Sequence, residues 1–224
     1  AGVFELDWKG LFLLLLSAVA SLFCITVHEL SHGYAAYRLG DPTAKNAGRL
    51  SLNPIKHIDL FGFLMMLVAH VGWAKPVPVD MRYFKEPKKG MALTALAGPL
   101  SNVVLALLIL AMGSLLLWFA PDSIVTAYLV LFLCYTAVLS AGLGLFNLIP
   151  IPPLDGAKIF YAVLPDRLYR TMLYYERYVR FGVLILAWLG VFSGPLDFCI
   201  GWVMRGMCAV TRFPFALLQL YFGF

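Results

Sequence analysis

His28 and His32 stand four residues apart with Glu29 directly after the first, in His28-Glu29-Leu30-Ser31-His32. On a helix, residues at that spacing share a face, so both imidazoles can reach a single tetrahedral Zn²⁺. A carboxylate beside them can take a proton from water that the metal acidifies and pass it to a leaving amine. That is metal-assisted amide hydrolysis. In a soluble helix the same five residues would read equally well as one polar turn. Here they sit in an apolar segment, Leu11 to Tyr37, long enough to cross a bilayer. An ionisable side chain at membrane depth costs roughly 2.5–3.5 kcal/mol on insertion scales. His28, Glu29 and His32 together therefore need a compensating partner. A metal ion is the sequence expectation, and a buried hydrogen-bonded cluster is the alternative.

A catalytic zinc needs a third protein ligand and an open position. Asp155 is the candidate, in Asn147-Leu148-Ile149-Pro150-Ile151-Pro152-Pro153-Leu154-Asp155-Gly156, where prolines break a helix at the end of the third long apolar run. Its depth matches that of the histidines, which lie in the last turns before Arg38. The competing reading is a Pro-rich helix end with Asp155 capping the next helix.

The elements that must position these residues are membrane helices. The 224-residue chain is 62% hydrophobic and 13% charged, against about 45–50% and about 25% in soluble domains. Its length allows about five or six spans and leaves no room for a sizeable soluble domain. The expected fold class is an all-α polytopic membrane protein. It comprises a three-helix catalytic core (11–164) and C-terminal helices (165–224), in a single domain over 1–224. Residues 1–10 show no signal-peptide pattern.

Apolar runs cover Leu11 to Tyr37, Met91 to Ala120, Ile124 to Leu148 and Phe181 to Phe192, with a less regular hydrophobic tail from Leu196. The first three read as full spans. Basic residues gather after the first span (Arg38, Lys45, Arg49, Lys56), before the second (Lys75 to Lys89) and after the third (Lys158 to Arg180). Positive-inside bias puts those loops in the cytoplasm, and the Pro121-Asp122-Ser123 link, free of Lys and Arg, outside. Leu60 to Trp73 is flanked by basic loops on both sides and is short for a crossing, so it reads as a re-entrant or interfacial element. Residues 48–52 alternate polar and apolar, and Pro76 to Val79 is extended by its prolines. Both read as short strands near the site. Asp166 to Arg180 suits an interfacial helix or an extension of the next span.

The net charge of +5 follows from this topology, which makes nucleic acid an unsuitable partner. Cys24, Cys134, Cys199 and Cys208 lack CxxC spacing and read as packing residues. His57 and Asp59 form a hydrogen-bonding pair or, less simply, a second metal pair. His70 reads as a buried structural histidine. Arg205 and Arg212 are expected to snorkel or pair with headgroups.

Together these residues resemble the site-2 protease family of intramembrane metalloproteases. The first pentapeptide is similar to its zinc motif, and 147–156 to its Asn-Pro-Asp-Gly motif. Ala97-Gly98-Pro99-Leu100-Ser101-Asn102 resembles its GPxxN element. The resemblance covers Leu11 to about Leu164 and, lacking a PDZ-sized insertion, points to the compact subgroup. It implies that His28, His32 and Asp155 ligate one Zn²⁺, with Glu29 as general base and acid. It also implies that Asn102 and Asn147 bind substrate backbone or steady an oxyanion, although interhelical hydrogen bonding would suit them as well. The implied partners are a transmembrane protein or peptide substrate, the lipid bilayer and a regulatory membrane protein. The implied location is a prokaryotic cell membrane, with the site towards the cytoplasm. The family also receives unwound substrate along edge strands and a re-entrant loop. Two other functions share these residues: a metal-ion transporter, disfavoured by the single broken helix, and an inactive helix-binding homologue, disfavoured by Glu29.

Overall fold

The computed structural model describes residues 8–69 and 73–223; His70, Gly72 and most of the 1–10 segment lie outside them. The chain opens with α1 (Trp8–Arg38), whose last three turns hold the two histidines. Gly40, at φ +107°, turns the chain away after it, a conformation that glycine adopts without steric cost. A short helix α2 (Thr43–Asn46) and the hairpin helix α3 (Leu60–Ala69) lead to α4 (Pro87–Phe119), which starts on a proline in its first turn. Next comes α5 (Ile124–Asn147), capped by the Ser123 hydroxyl accepting from the Thr126 N–H. The chain then breaks over 148–154, where the Pro152–Pro153 peptide is cis, and resumes as α6 (Asp155–Tyr161).

Three of these helices, α1, α4 and α5, are long and apolar enough to cross a membrane, and they coincide with the three expected spans. Lipid removes the hydrophobic drive between helices, so close packing must hold them together, and small residues permit it. At Gly144 of α5, a Cβ would lie 2.9 Å from the Pro99 carbonyl oxygen of α4. The two backbones therefore meet beside the GPxxN element.

The C-terminal part forms α7 (Asp166–Trp188), α8 (Ser193–Thr211) and α9 (Phe215–Phe222). Asp166 to Arg180 is the first half of α7, continuous with the apolar run that follows. The last turns of α7 and helix α8 meet at 78°, a broken span or re-entrant pair, with Gly190 at φ +72° in the corner. Met204 and Leu218 complete an apolar core with Leu110, Cys134 and Ala137. All four cysteines are free, three of them buried in the core regions.

The two flanks of the segment from 60 to 73 meet. Ile58 bridges Ala74 in antiparallel register, and the Lys75 N–H donates to the His57 carbonyl (3.0 Å). Gly62 allows this closure, since a Cβ there would collide with the Trp73 backbone. The short strands expected at 48–52 and 76–79 do not form: among the described residues that bridge is the only β pairing. The physical reason is local. Pro76 and Pro78 have no N–H to offer a ladder, and the Val77 N–H is taken by a side chain. Arg49 and Ser51 close tight turns instead, onto the Ala44 and Arg49 carbonyls.

Candidate active site

The last turns of α1, the middle of α4 and the start of α6 converge on one point. His28 Nε2 and His32 Nε2 are 3.0 Å apart, and each is 3.1 Å from Asp155 Oδ2. All three side chains are buried. Ligands of a tetrahedral zinc at about 2.0–2.1 Å stand about 3.3 Å from one another, so this triangle has the dimensions of three corners of such a site. Among the described residues it is the one cluster of three ligating side chains. The N-cap of α6 is Leu154 and Asp155 is its first helical residue, so the capping alternative does not hold.

The far sides of the imidazoles settle what the near sides present. His32 Nδ1 lies 2.7 Å from the Thr94 carbonyl oxygen, which only accepts, so Nδ1 carries the proton. His28 Nδ1 lies 2.8 Å from Asn102 Oδ1. The amide orientation of Asn102 is fixed from behind, because its Nδ2 donates to Ser140 Oγ (3.1 Å) and the Cys24 carbonyl (3.4 Å). Ser140 Oγ returns a bond to the Asn102 carbonyl (2.8 Å). With both neutral imidazoles protonated on Nδ1, two Nε2 lone pairs and a carboxylate face one another within 3.1 Å. Three acceptors that close repel, and a cation between them removes the repulsion. The donor set fits zinc on chemistry as well as on distance.

Glycines make the convergence possible. A Cβ on Gly98 would lie 2.4 Å from the His32 ring and 2.7 Å from His28 Nε2. Its neighbour Pro99 has no N–H for the turn before it, so α4 meets the histidines with bare backbone. Gly156 lets α6 start against the broken loop, since a Cβ would lie 2.2 Å from the Leu148 carbonyl oxygen.

Glu29, half-buried next to His28, accepts through Oε2 from the Val77 N–H (2.8 Å). Lys158 Nζ is 3.4 Å from Asp155 Oδ1, on the side away from the histidines' shared oxygen. Asn102 is fully buried behind His28. Asn147 is half-buried, and its Nδ2 donates to the Leu143 carbonyl of its own helix (2.9 Å). Thus His28, His32, Asp155 and Asn102 are brought into one network, whereas the Asn147 amide is turned along α5. The Thr94 carbonyl, Ser140 and the Val77 N–H went unnoticed in the sequence. Two are backbone groups, which any residue type carries, and an isolated serine in a span has no spacing signal.

The remaining polar candidates have local duties. His57 Nε2 donates to the Ser51 carbonyl (2.8 Å), and Asp59 Oδ1 accepts from the Gly62 N–H (2.9 Å) at the start of α3. They do not share a metal geometry. Arg205 lies over the Phe215 ring at 5.2 Å. Outside the spans, the Arg82 guanidinium holds the Asp80 carboxyl below the usual carboxylate range through bonds of 2.6 and 3.0 Å.

Comparison with known proteins points the same way. The sequence pattern of peptidase family M50 matches residues 117–189. The chain is 38% identical over 205 residues to the Bacillus subtilis protein named "Putative zinc metalloprotease YwhC", covering 90% of this chain and 91% of that one. It is 31% identical over 157 residues to the similarly named Rip2 of Mycolicibacterium smegmatis, covering 67% and 57%. Against Rip2 of Mycobacterium tuberculosis it is 32% identical over 169 residues, covering 73% and 60%. The chain thus spans somewhat under two thirds of the Rip2 proteins and nearly all of YwhC. No solved structure matches it. A two-histidine, one-aspartate centre between membrane-length helices, and a relative matched over nine-tenths of both chains, lead to one conclusion: the chain belongs to peptidase family M50, the site-2 protease family of zinc metalloproteases.

Proposed function

We propose that the protein is an intramembrane zinc endopeptidase that hydrolyses a peptide bond in or beside a transmembrane segment of a membrane-protein substrate, as in regulated intramembrane proteolysis. The observation that carries this reading is the 3.0–3.1 Å triangle of His28 Nε2, His32 Nε2 and Asp155 Oδ2 within a cluster of membrane-length helices. His28, His32 and Asp155 would hold one zinc ion per chain. Zinc bound there supplies a Lewis acid that polarises the scissile carbonyl and acidifies water.

The protein's own groups supply the rest. Glu29 lies on the same helical turn as the ligands, with Oε2 anchored on the Val77 N–H, and serves as base and then acid for the leaving amine. Asn102 serves as a positioning residue, since it is fully buried with its Oδ1 on His28 and its Nδ2 on Ser140 and the Cys24 carbonyl. Asn147 is assigned to substrate backbone, which its amide reaches by giving up the bond to its own helix. The basic loops around the histidine end of α1 support a site facing the cytoplasm, and the bacterial relatives support a prokaryotic cell. A regulatory membrane protein that governs which substrates reach the site is proposed as a further partner.

The test uses purified detergent-solubilised protein of measured zinc content and a panel of labelled transmembrane peptides, comparing wild type with Glu29→Gln. Cleavage by wild type alone, with about one zinc in each protein, is the expected outcome. Zinc in both with no peptide cut would leave a missing substrate or partner, or metal transport, and absence of stoichiometric zinc would end the metal-site reading.

A further inference from the structure

Glu29 is reached by a segment of chain that two other buried charges hold in place. Residues 74–80 run past the end of α1 and are tied at both ends. At one end, Ala74 pairs with Ile58, and Arg49 Nη2 donates to the Lys75 carbonyl (2.7 Å). At the other, the Asp80 N–H donates to Asp41 Oδ2 (2.7 Å), while Asp41 Oδ1 accepts from the N–H and hydroxyl of Thr43. Between the ties lies the Val77 N–H, 2.8 Å from Glu29 Oε2. Gly33, one turn beyond Glu29, admits the segment: a Cβ there would lie 3.0 Å from Val77 Cγ1 and 2.8 Å from Leu50 Cδ2.

Two features set this apart from ordinary loop anchoring. Asp41 is 0% exposed and Arg49 8%, yet neither is ion-paired among the described residues. A buried charge without a counter-ion is costly, and here each binds a backbone group of the same segment, Asp41 through Oδ2 while its Oδ1 holds Thr43. Among the described residues Arg49 Nε has no hydrogen-bond partner, so the guanidinium is held for its bond to Lys75 rather than for a full set of contacts. The second feature is the sequence around the donor. Pro76 and Pro78 flank Val77 and carry no N–H, so a slip of one residue in either direction would set a proline nitrogen against the carboxylate. Neither adjacent register gives Glu29 a donor, and Arg49 and Asp41 fix the one that does.

We infer that Arg49 and Asp41 are positioning residues for Glu29. They hold 74–80 in the register that aims the Val77 N–H at Oε2, which fixes the rotation of the carboxylate and leaves Oε1 for proton transfer. The inference rests on the reading of Glu29 as the base.

The test follows cleavage of a labelled transmembrane peptide by the full chain in detergent. In one protein the Val77 amide is replaced by an ester, using the α-hydroxy analogue of valine, so that one N–H is lost and every side chain kept. The others are Arg49→Met, Arg49→Lys, and the ester combined with Arg49→Met. The ester and Arg49→Met should each lower kcat about 10- to 100-fold, with KM and zinc content unchanged. Arg49→Lys, which keeps a donor for the Lys75 carbonyl, should recover most of the rate. The combined protein should be no slower than the slower single change, because both break one linkage. Multiplying effects, a change in KM instead of kcat, or a Lys variant as slow as Met would overturn the inference. Should Arg49→Met not fold, the ester decides alone: a wild-type kcat refutes the inference. The underlying reading fails separately, by Glu29→Gln cleaving at the wild-type rate.

Discussion

His28 Nδ1 and Asn102 Oδ1 lie 2.8 Å apart in a fully buried contact between α1 and α4. The contact decides which nitrogen of His28 faces Asp155, and it makes ligand orientation depend on a second helix. Ser140 of α5 fixes the Asn102 amide in turn, so all three long helices take part in aiming one imidazole. This is the outer-shell arrangement that sets tautomer and basicity in metal sites.

Replacing Asn102 with Leu should therefore weaken zinc binding about 10- to 100-fold, measured by competition with a chromogenic chelator. Asn102→Asp keeps an acceptor for the His28 N–H and should lose less. If zinc affinity is unchanged in both while KM for a peptide rises, Asn102 contacts substrate, as the sequence pattern first implied, and the positioning role is wrong.

Gly98→Ala should be disproportionately harmful for a one-carbon change. The new Cβ would lie 2.4 Å from His32 and 2.7 Å from His28 Nε2, and the histidines cannot yield without leaving the triangle. Overpacking of this kind costs about 1–3 kcal/mol, and here the displaced atoms are the ligands themselves. Zinc stoichiometry and cleavage should both collapse. Gly182→Ala, with nothing within 4 Å of its Cβ, should leave both intact. Normal zinc content in Gly98→Ala would mean that α4 relaxes away from α1.

What the sequence disclosed and what it concealed divide along physical lines. His28, Glu29 and His32 were legible because helical periodicity alone puts them on one face, and the bilayer makes ionisable residues conspicuous. Asp155 was legible because prolines announce where a span breaks. The three long spans followed from hydropathy. The expected strands failed because alternation and prolines show an extended chain but not a partner, and the partner of Val77 proved to be Glu29. Likewise, no spacing rule could pair Asp41 with Asp80, 39 residues on, or show that the Thr94 carbonyl supports His32. Backbone groups and buried single charges acquire meaning only when the chain is folded.

Removing the metal should loosen the helices as well as stop catalysis. Zinc would join α1 to α6 through three side chains whose acceptor atoms otherwise repel. A ligand at a thousandfold excess over its Kd stabilises the folded state by about 4 kcal/mol. Chelation should lower the detergent-phase melting temperature of wild type, and added zinc should restore it. His32→Ala should melt at the chelated value and ignore zinc. An equal response in His32→Ala would place the stabilising metal elsewhere.

Acid should open the corner between α6 and α7 before it disturbs the spans. Lys88 at the start of α4 donates to the Leu164 carbonyl (2.8 Å), pairs with Asp166 and lies over the Tyr169 ring at 5.3 Å. The corner walls a cavity of about 870 Å³ that also includes Leu93, Ile159 and Val163. The Lys88 ammonium beside Asp166 holds its carboxyl below the usual carboxylate range. Because the folded value is the lower one, the pair contributes at neutral pH. Its contribution fades as pH falls through the ordinary carboxylate range and is gone below the depressed value. Asp166 is exposed, so salt should weaken the effect. Amide exchange over residues 164–170 should accelerate in that acidic window for wild type. In Lys88→Met it should be fast already at neutral pH and indifferent to the titration. A wild-type corner that exchanges at one rate across the window, once intrinsic pH effects are removed, would show that Leu164 and Tyr169 hold it without the ion pair.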